Sequence, residues 1–243
     1  MLVTKPVKCS NKIVMELNET GSFEPGSAIP RPASLADGVY ESIFAQLMSL
    51  KIAPGSRITV DALVKELSVS QTPIREALGR LEGEGLVNRT HLIGYRAAPQ
   101  ITKLQFEDLY QLRLLLEPEG AARAAERMTE ASLAELQDLT AAMIDDGSHD
   151  AQIRYSNFAR KDAEFHDLIL KIAGNELIRE TLRIQHTHFH IFRLMFHWRV
   201  TADALHEHDA IMSALTAGDP IAARAAMRGH IENSMTRLMP AFS

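Results

Sequence analysis

The sequence predicts a mainly α protein: an N-terminal winged helix-turn-helix domain followed by an all-α antiparallel helical bundle. Three observations carry this. Apolar residues recur at helical spacing in three short segments between residues 35 and 83. An alternating apolar stretch from Leu86 to Ala97, broken at Gly94-Tyr95, then reads as a two-stranded wing. From Thr102 almost to the end the periodicity is helical, and 243 residues suffice for two domains with cores of their own.

Residues 1–34 mix Lys, Ser, Pro and Gly without a period and read as a flexible tail, in which Ile13 to Leu17 could form a short ordered piece. Val39, Ile43, Leu47 and Leu50 mark a first helix over about 35–50. Ala53-Pro54-Gly55 is a turn, and Thr59 can cap a second helix with Leu63, Val64 and Leu67 inward. The first domain thus spans 35–98 and the second 102–240. Thr102 and Gln105 form a capping-box pair before a helix carrying Leu109, Leu112, Leu115 and Leu116. Pro118 falls inside that run and should kink or interrupt it. Thr129 starts a helix ending near Asp146-Gly147, and another covers about 151–173, stopped by Gly174-Asn175. A long helix is expected over about 176–199, then one capped by Thr201 and ending at Gly218. Asp219-Pro220 opens the last helix, to about 239.

The stretch from Val69 to Val87 is the most informative. A Ser/Thr cap and Pro73 start a helix, Gly83 and Gly85 end it, and Ile74, Ala77, Leu78 and Leu81 make one buried stripe. Gln71, Thr72, Arg75, Gly79 and Arg80 are left on the outer side near the helix start. Small polar groups and an arginine at that end are what a helix entering the major groove needs.

Composition sets bounds. A hydrophobic content of 46% without an apolar run near ~18 residues predicts a soluble chain with no membrane partner. No signal-peptide core is evident at the N-terminus, and the single cysteine, Cys9, suits a reducing cytoplasm. The net charge of −5 comes from the C-terminal part: residues 36–98 hold 7 Lys/Arg against 7 Asp/Glu, whereas 99–243 hold 15 against 21. Bulk charge therefore does not predict a nucleic-acid partner; the motif does.

The helix–turn–helix–wing order, with Pro54-Gly55, Ser70 to Leu78 and Glu84-Gly85-Leu86-Val87, resembles the GntR family of bacterial transcription regulators. The helical part after it looks like the FadR-type (FCD) ligand-binding domain of one large branch. The resemblance implies a homodimer on a palindromic operator in double-stranded DNA, most often a repressor, that responds to a small metabolite. It implies that Arg75 reads a guanine edge and that Thr72 contacts backbone or base. Ser70 and Arg80 would hold phosphates, and Arg89 and His91 of the wing would approach the minor groove. Family members usually have arginine where this chain has Gln71, and glutamine pairs with adenine, so the operator is expected to depart from the family's usual sequence.

Asp162 and His166 are spaced i, i+4 on one helix, while His208 and His230 sit in apolar stripes of two later helices. One carboxylate and three imidazoles converging inside a bundle would suit a divalent transition metal (Zn²⁺, Ni²⁺, Mn²⁺ or Fe²⁺) with positions open to a ligand. Hydrogen-bonded core histidines are the alternative on spacing alone. The resemblance favours the metal, since many members of the branch hold one with one Asp and three His at matching positions.

Arg113, in a leucine-rich helix, and Arg193, between Phe192 and Leu194, are candidates to bind an anionic effector such as an organic acid or sugar acid. Glu117 could equally neutralise Arg113. His186, His188, His190 and His197 form a second cluster; His186 and His190 share a face by i, i+4, but no carboxylate matches them, which favours surface or lining positions over a second metal site. The leading reading is an effector-responsive transcription regulator. The alternative from another class, a metalloenzyme using the Asp/His₃ site, leaves the DNA-reading domain unexplained, and a purely architectural DNA-binding protein leaves the inward Asp and histidines without a role.

Overall fold

The computed structural model describes residues 34–90, 93–144, 147–196 and 198–242, with backbone alone for 198–200. The predicted tail, His91 and His197 lie outside the described residues. The first domain begins with α1 (Leu35–Met48), whose Val39, Ile43 and Leu47 are buried as the spacing requires. The helix stops before Leu50, which adopts a left-handed φ of 61°. Strand β1 (Arg57–Ile58) leads into α2 (Val60–Leu67) and α3 (Gln71–Gly83). Thr59 and Ser70 occupy the N-cap positions of these two helices, without side-chain cap bonds.

Strands β2 (Val87–Thr90) and β3 (Gly94–Ala97) form the expected wing. The two-residue β1 makes it a three-stranded antiparallel sheet of order β1-β3-β2, with Arg57 opposite Arg96 and Val87 opposite Ala97. Two residues are too short for alternation to reveal, so β1 was absent from the sequence expectation.

The bundle comprises α4 (Lys103–Glu126), α5 (Glu130–Ile144), α6 (Ala151–Ala173), α7 (Glu176–Ile184), α8 (Thr187–Phe192), α9 (Trp198–Thr216) and α10 (Pro220–Leu238), closed by a 3₁₀ turn at Met239–Phe242. Helix α4 carries the full Thr102/Gln105 capping box, and Asp219 caps α10 through Ile221 and Ala222. Three expectations are corrected. Helix α4 runs through Pro118 without interruption; the proline is buried, and packing against α6 and α10 outweighs a penalty of ~3 kcal/mol. The long helix over 176–199 is broken, because His186 takes a left-handed φ of 47° and separates α7 from α8. Helix α9 starts at Trp198, so Thr201 lies within it instead of capping it.

The leucines of α4 are also not its inner face. Leu115 is exposed, and Phe106, Tyr110, Arg113, Glu117 and Ala121 point inward. The two domains share a continuous apolar core from Val39 to Leu238. Arg160 of α6 adds a bidentate pair to Glu41 of α1, at 2.6 Å for both bonds, with its guanidinium 4.6 Å from the Phe44 ring centre.

Gly174 ends α6 in the left-handed region (φ 70°), where a Cβ would lie 2.1 Å from Arg127 Nη1, itself bonded to the Ala173 carbonyl at 2.7 Å. Gly174→Ala is therefore expected to lower stability by about 1–3 kcal/mol. Urea unfolding checks this; an unchanged midpoint would count against a strained helix end.

Candidate metal centre and nucleic-acid interface

Asp162 and His166 come from α6, which starts at the Asp150 cap and buries the periodic face Tyr155, Phe158, Ala159, Asp162, Phe165, His166 and Ile169. His208 projects from α9 and His230 from α10, so three helices place four polar side chains at one buried point. Each offers a ligand atom within 4.8 Å of the others. The imidazoles crowd together, with ring centres of His208 and His230 4.8 Å apart and those of His166 and His230 5.1 Å apart. The structure thus brings together all four residues that the sequence suggested as metal ligands.

The surrounding residues hold this quartet in a defined state. Nδ1 of His166 lies 2.7 Å from Glu117 Oε2, and Nδ1 of His230 lies 2.9 Å from Glu207 Oε2. Each contact leaves Nε2 of the ring for the centre, which is the carboxylate–histidine arrangement that orients metal-binding imidazoles. Burial depresses His166 to about 3 against the pull of Glu117, and His230 to about 4 against that of Glu207. Burial opposes ionisation of Asp162, but the imidazoles of His188 and His208 hold its carboxyl well below the usual range. An ionised Asp162 and neutral His166 and His230 near pH 7 are the protonation states that ligation needs.

Nε2 of His166 and both ring nitrogens of His208 are buried without a hydrogen-bond partner; Nε2 of His208 stands 3.3 Å from Asp162 Oδ1. Leaving such groups unmet costs about 1–3 kcal/mol each, and a cation bound by Nε2 of His166 and one ring nitrogen of His208 would remove most of that cost. The donor set fits a divalent first-row transition ion.

The depressed histidines make acid stability a test. Unfolded histidine titrates near ~6.5, so between there and about 4 the unfolded chain binds protons that native His166 and His230 refuse, and stability falls as pH drops. Metal-free protein is expected to lose on the order of 2–4 kcal/mol from pH 7 to pH 5, the two sites each contributing up to ~1.4 kcal/mol per pH unit. Urea titrations at three pH values read this directly; a flat profile would contradict the burial of neutral imidazoles.

Arg113 is fully enclosed and paired with Glu117, Nε to Oε1 at 2.5 Å. Burial opposes the Glu117 charge, but Arg113 and His166 keep it ionised. The Arg113 pair is the salt bridge that the i, i+4 spacing allowed. With Asp162, His188, His230 and Arg237, Arg113 also lines a void of only about 10 Å³. Arg193 lies elsewhere. It donates from Nη2 to the Ala98 carbonyl at 2.6 Å, and its own carbonyl accepts from Gln100 Nε2 at 2.8 Å. Its Nε and Nη1 are buried without a partner, and burial lowers the guanidinium to about 10.

Sequence reasoning missed Glu207 and the role of His188. Nδ1 of His188, another member of the second histidine cluster, is 2.7 Å from Asp162 Oδ2. The i, i+4 comparison within one helix could not reveal a partner 26 residues away.

On the other domain, Ser70, Gln71, Thr72, Arg75, Gly79 and Arg80 are exposed along α3. Gln71 donates to Asp61 at 3.0 Å and accepts from Arg75 at 3.3 Å, forming a polar string at the helix start. Arg80 is instead turned to α1, paired with Asp37 at 2.7 Å and stacked 4.1 Å from the centre of Tyr40. Arg89 is exposed on β2 near Tyr95.

An exposed polar helix start in a winged helix-turn-helix, joined to a helical domain, defines a DNA-binding transcription regulator. Residues 35–96 match the description "Bacterial regulatory proteins, gntR family", and 108–233 match the FCD domain. The chain therefore belongs to the gntR family of bacterial regulatory proteins and carries an FCD domain. It is 30% identical to the transcriptional regulator LutR of Bacillus subtilis over 207 residues, covering 75% of this chain and 91% of LutR. It is 34% identical to the Nta operon transcriptional regulator of Aminobacter aminovorans over 136 residues, 56% of this chain and 62% of that protein. The structure of McbR/YncC from Escherichia coli shares the fold, with a TM-score of 0.60 at 23% identity over 87% of this chain and all of that one. These families and relatives are transcription regulators, not enzymes.

Proposed function

We propose that this regulator is a homodimeric repressor whose hold on a palindromic operator changes when a small organic-acid or sugar-acid effector binds beside a metal in the second domain. The first domain, 35–98, reads DNA, and the second, 102–240, dimerises and senses. The observation that carries the reading is the buried Asp162, His166, His208 and His230 quartet with unpartnered imidazole nitrogens. A Zn, Ni, Mn or Fe dication held by these four supplies a Lewis-acidic point for an anionic ligand, and Arg113 supplies a second positive group by exchanging its pair with Glu117 for the ligand.

At the DNA, Arg75 reads a guanine edge, and Gln71 and Thr72 contact neighbouring bases or backbone. Ser70 and Arg80 hold phosphates, while Arg89 and His91 reach the minor groove. Arg80 exchanges its pair with Asp37 for a phosphate. Among the described residues no helix is long and apolar enough to cross a membrane, which accords with work in the cytoplasm. A thermal-shift screen against organic acids, with and without metal, tests the reading. It predicts that one acid raises the midpoint only when metal is present; a shift independent of metal contradicts it.

A further inference from the structure

Helix α8 touches the metal-site helix and the DNA-reading domain at once. Four consecutive residues at its start have four different surroundings. The His186 ring packs on Gly85, directly after the recognition helix, where a Cβ would lie 3.0 Å from its Cδ2. Thr187 is buried with an unpartnered hydroxyl. His188 holds Asp162, and the Phe189 ring stands edge-on to Phe44 of α1, with centres 5.3 Å apart.

The far end of α8 is anchored to both domains as well. Tyr155 of α6 donates to the Phe192 carbonyl at 2.9 Å, and Arg193 holds the Ala98 carbonyl at the end of the wing. Ile191 and Phe192, with His188, form one wall of the void of about 10 Å³ beside Asp162 and His230. That volume admits about one water. An organic anion does not fit this void unless its wall on α8 moves, and the cavity of about 400 Å³ that reaches His166 is itself lined by His186, Thr187, His188 and Phe189.

We propose that His188 is the positioning residue of the Asp162 carboxylate and that α8 is the lever that passes occupancy of the metal centre to α1 and to the end of α3. This rests on the reading of Asp162, His166, His208 and His230 as a metal site. The hydrogen bond at Oδ2 leaves Oδ1, the oxygen facing His208, for the metal. A change in the orientation of Asp162 is felt by His188 and, through the short rigid helix, by Phe189 and His186. The coupling needs an element with two arrangements that both sites bias. A six-residue helix between a left-handed residue and a non-helical break is suited to move as a unit.

The test uses Zn²⁺ alone as the probe on the full-length chain. Calorimetric titration should show His188→Ala binding Zn²⁺ about 10–100-fold more weakly than wild type. His188→Asn, whose amide nitrogen sits near the place of Nδ1, should recover part of that loss. His186→Asn tolerates the left-handed backbone but lacks the ring against Gly85; it should bind Zn²⁺ within about twofold of wild type. In wild type, Zn²⁺ should change hydrogen exchange across residues 35–48 and 71–83, and in His186→Asn that change should be lost from 71–83. Wild-type affinity in His188→Ala, or an undiminished exchange response in His186→Asn, overturns the proposal and leaves the metal site standing. No Zn²⁺ binding by wild type overturns both.

Discussion

His208→Ala is expected to weaken metal binding by at least ~100-fold, beyond the ~10–100-fold that substitution around a metal's ligands brings. The variant should keep its helical content. The two outcomes together separate a ligand from a core histidine. His208 is 1% exposed, and its ring nitrogens meet no polar group but Asp162 Oδ1, 3.3 Å from Nε2, so its removal costs one long contact to that carboxylate. What is also lost is packing against Phe165, whose ring centre is 4.7 Å away, and a cavity term of a few kcal/mol at most. Elemental analysis with far-UV circular dichroism reads both. Unchanged metal content would make His208 a packing residue and remove the proposed centre.

Arg75→Ala should weaken operator binding by about 1–3 kcal/mol, roughly 5–150-fold, and relax base preference at one position. Arg75 is exposed in the first turns of α3, and its side-chain hydrogen bond to Gln71, at 3.3 Å, is long and solvent-facing. Its guanidinium is therefore available for a bidentate contact that lysine would not reproduce. Binding to a set of operator variants with single base changes distinguishes base reading from charge. An equal loss on every sequence would place Arg75 on phosphate.

The parts of the fold legible in the sequence are those with local signals. The stripe Ile74, Ala77, Leu78 and Leu81 is fully buried, Gly174 is left-handed where α6 ends, and Asp219-Pro220 opens α10. The break between α7 and α8 was hidden because His186, a non-glycine residue, supplies the left-handed turn within a helical pattern that no Gly or Pro interrupts. Pro118 does not interrupt α4, since tertiary packing keeps the helix continuous through a local breaker. At the candidate metal centre, Asp162 and His166 were readable from i, i+4 spacing, and His208 and His230 from their apolar stripes. Glu207 and His188 act through contacts 23 and 26 residues away in sequence, and no local pattern encodes those.

The domain junction gives physical content to the view that reader and sensor are halves of one switch. The Arg160–Glu41 pair, the Phe189–Phe44 contact and the Arg193–Ala98 bond all cross it, and all originate on α6 or at α8 and its C-terminal cap. An effector can act only through unequal affinity for two arrangements of this junction. The most direct measurement is fluorescence anisotropy on DNA from the chain's own promoter region and on random DNA at moderate salt, with the protein metal-loaded and then chelated. The predicted result is a preference for the promoter DNA whose strength changes about tenfold or more on metal removal and is restored by adding metal back. Equal affinity for both DNAs, or a preference indifferent to metal that is shown to be bound, would contradict the account.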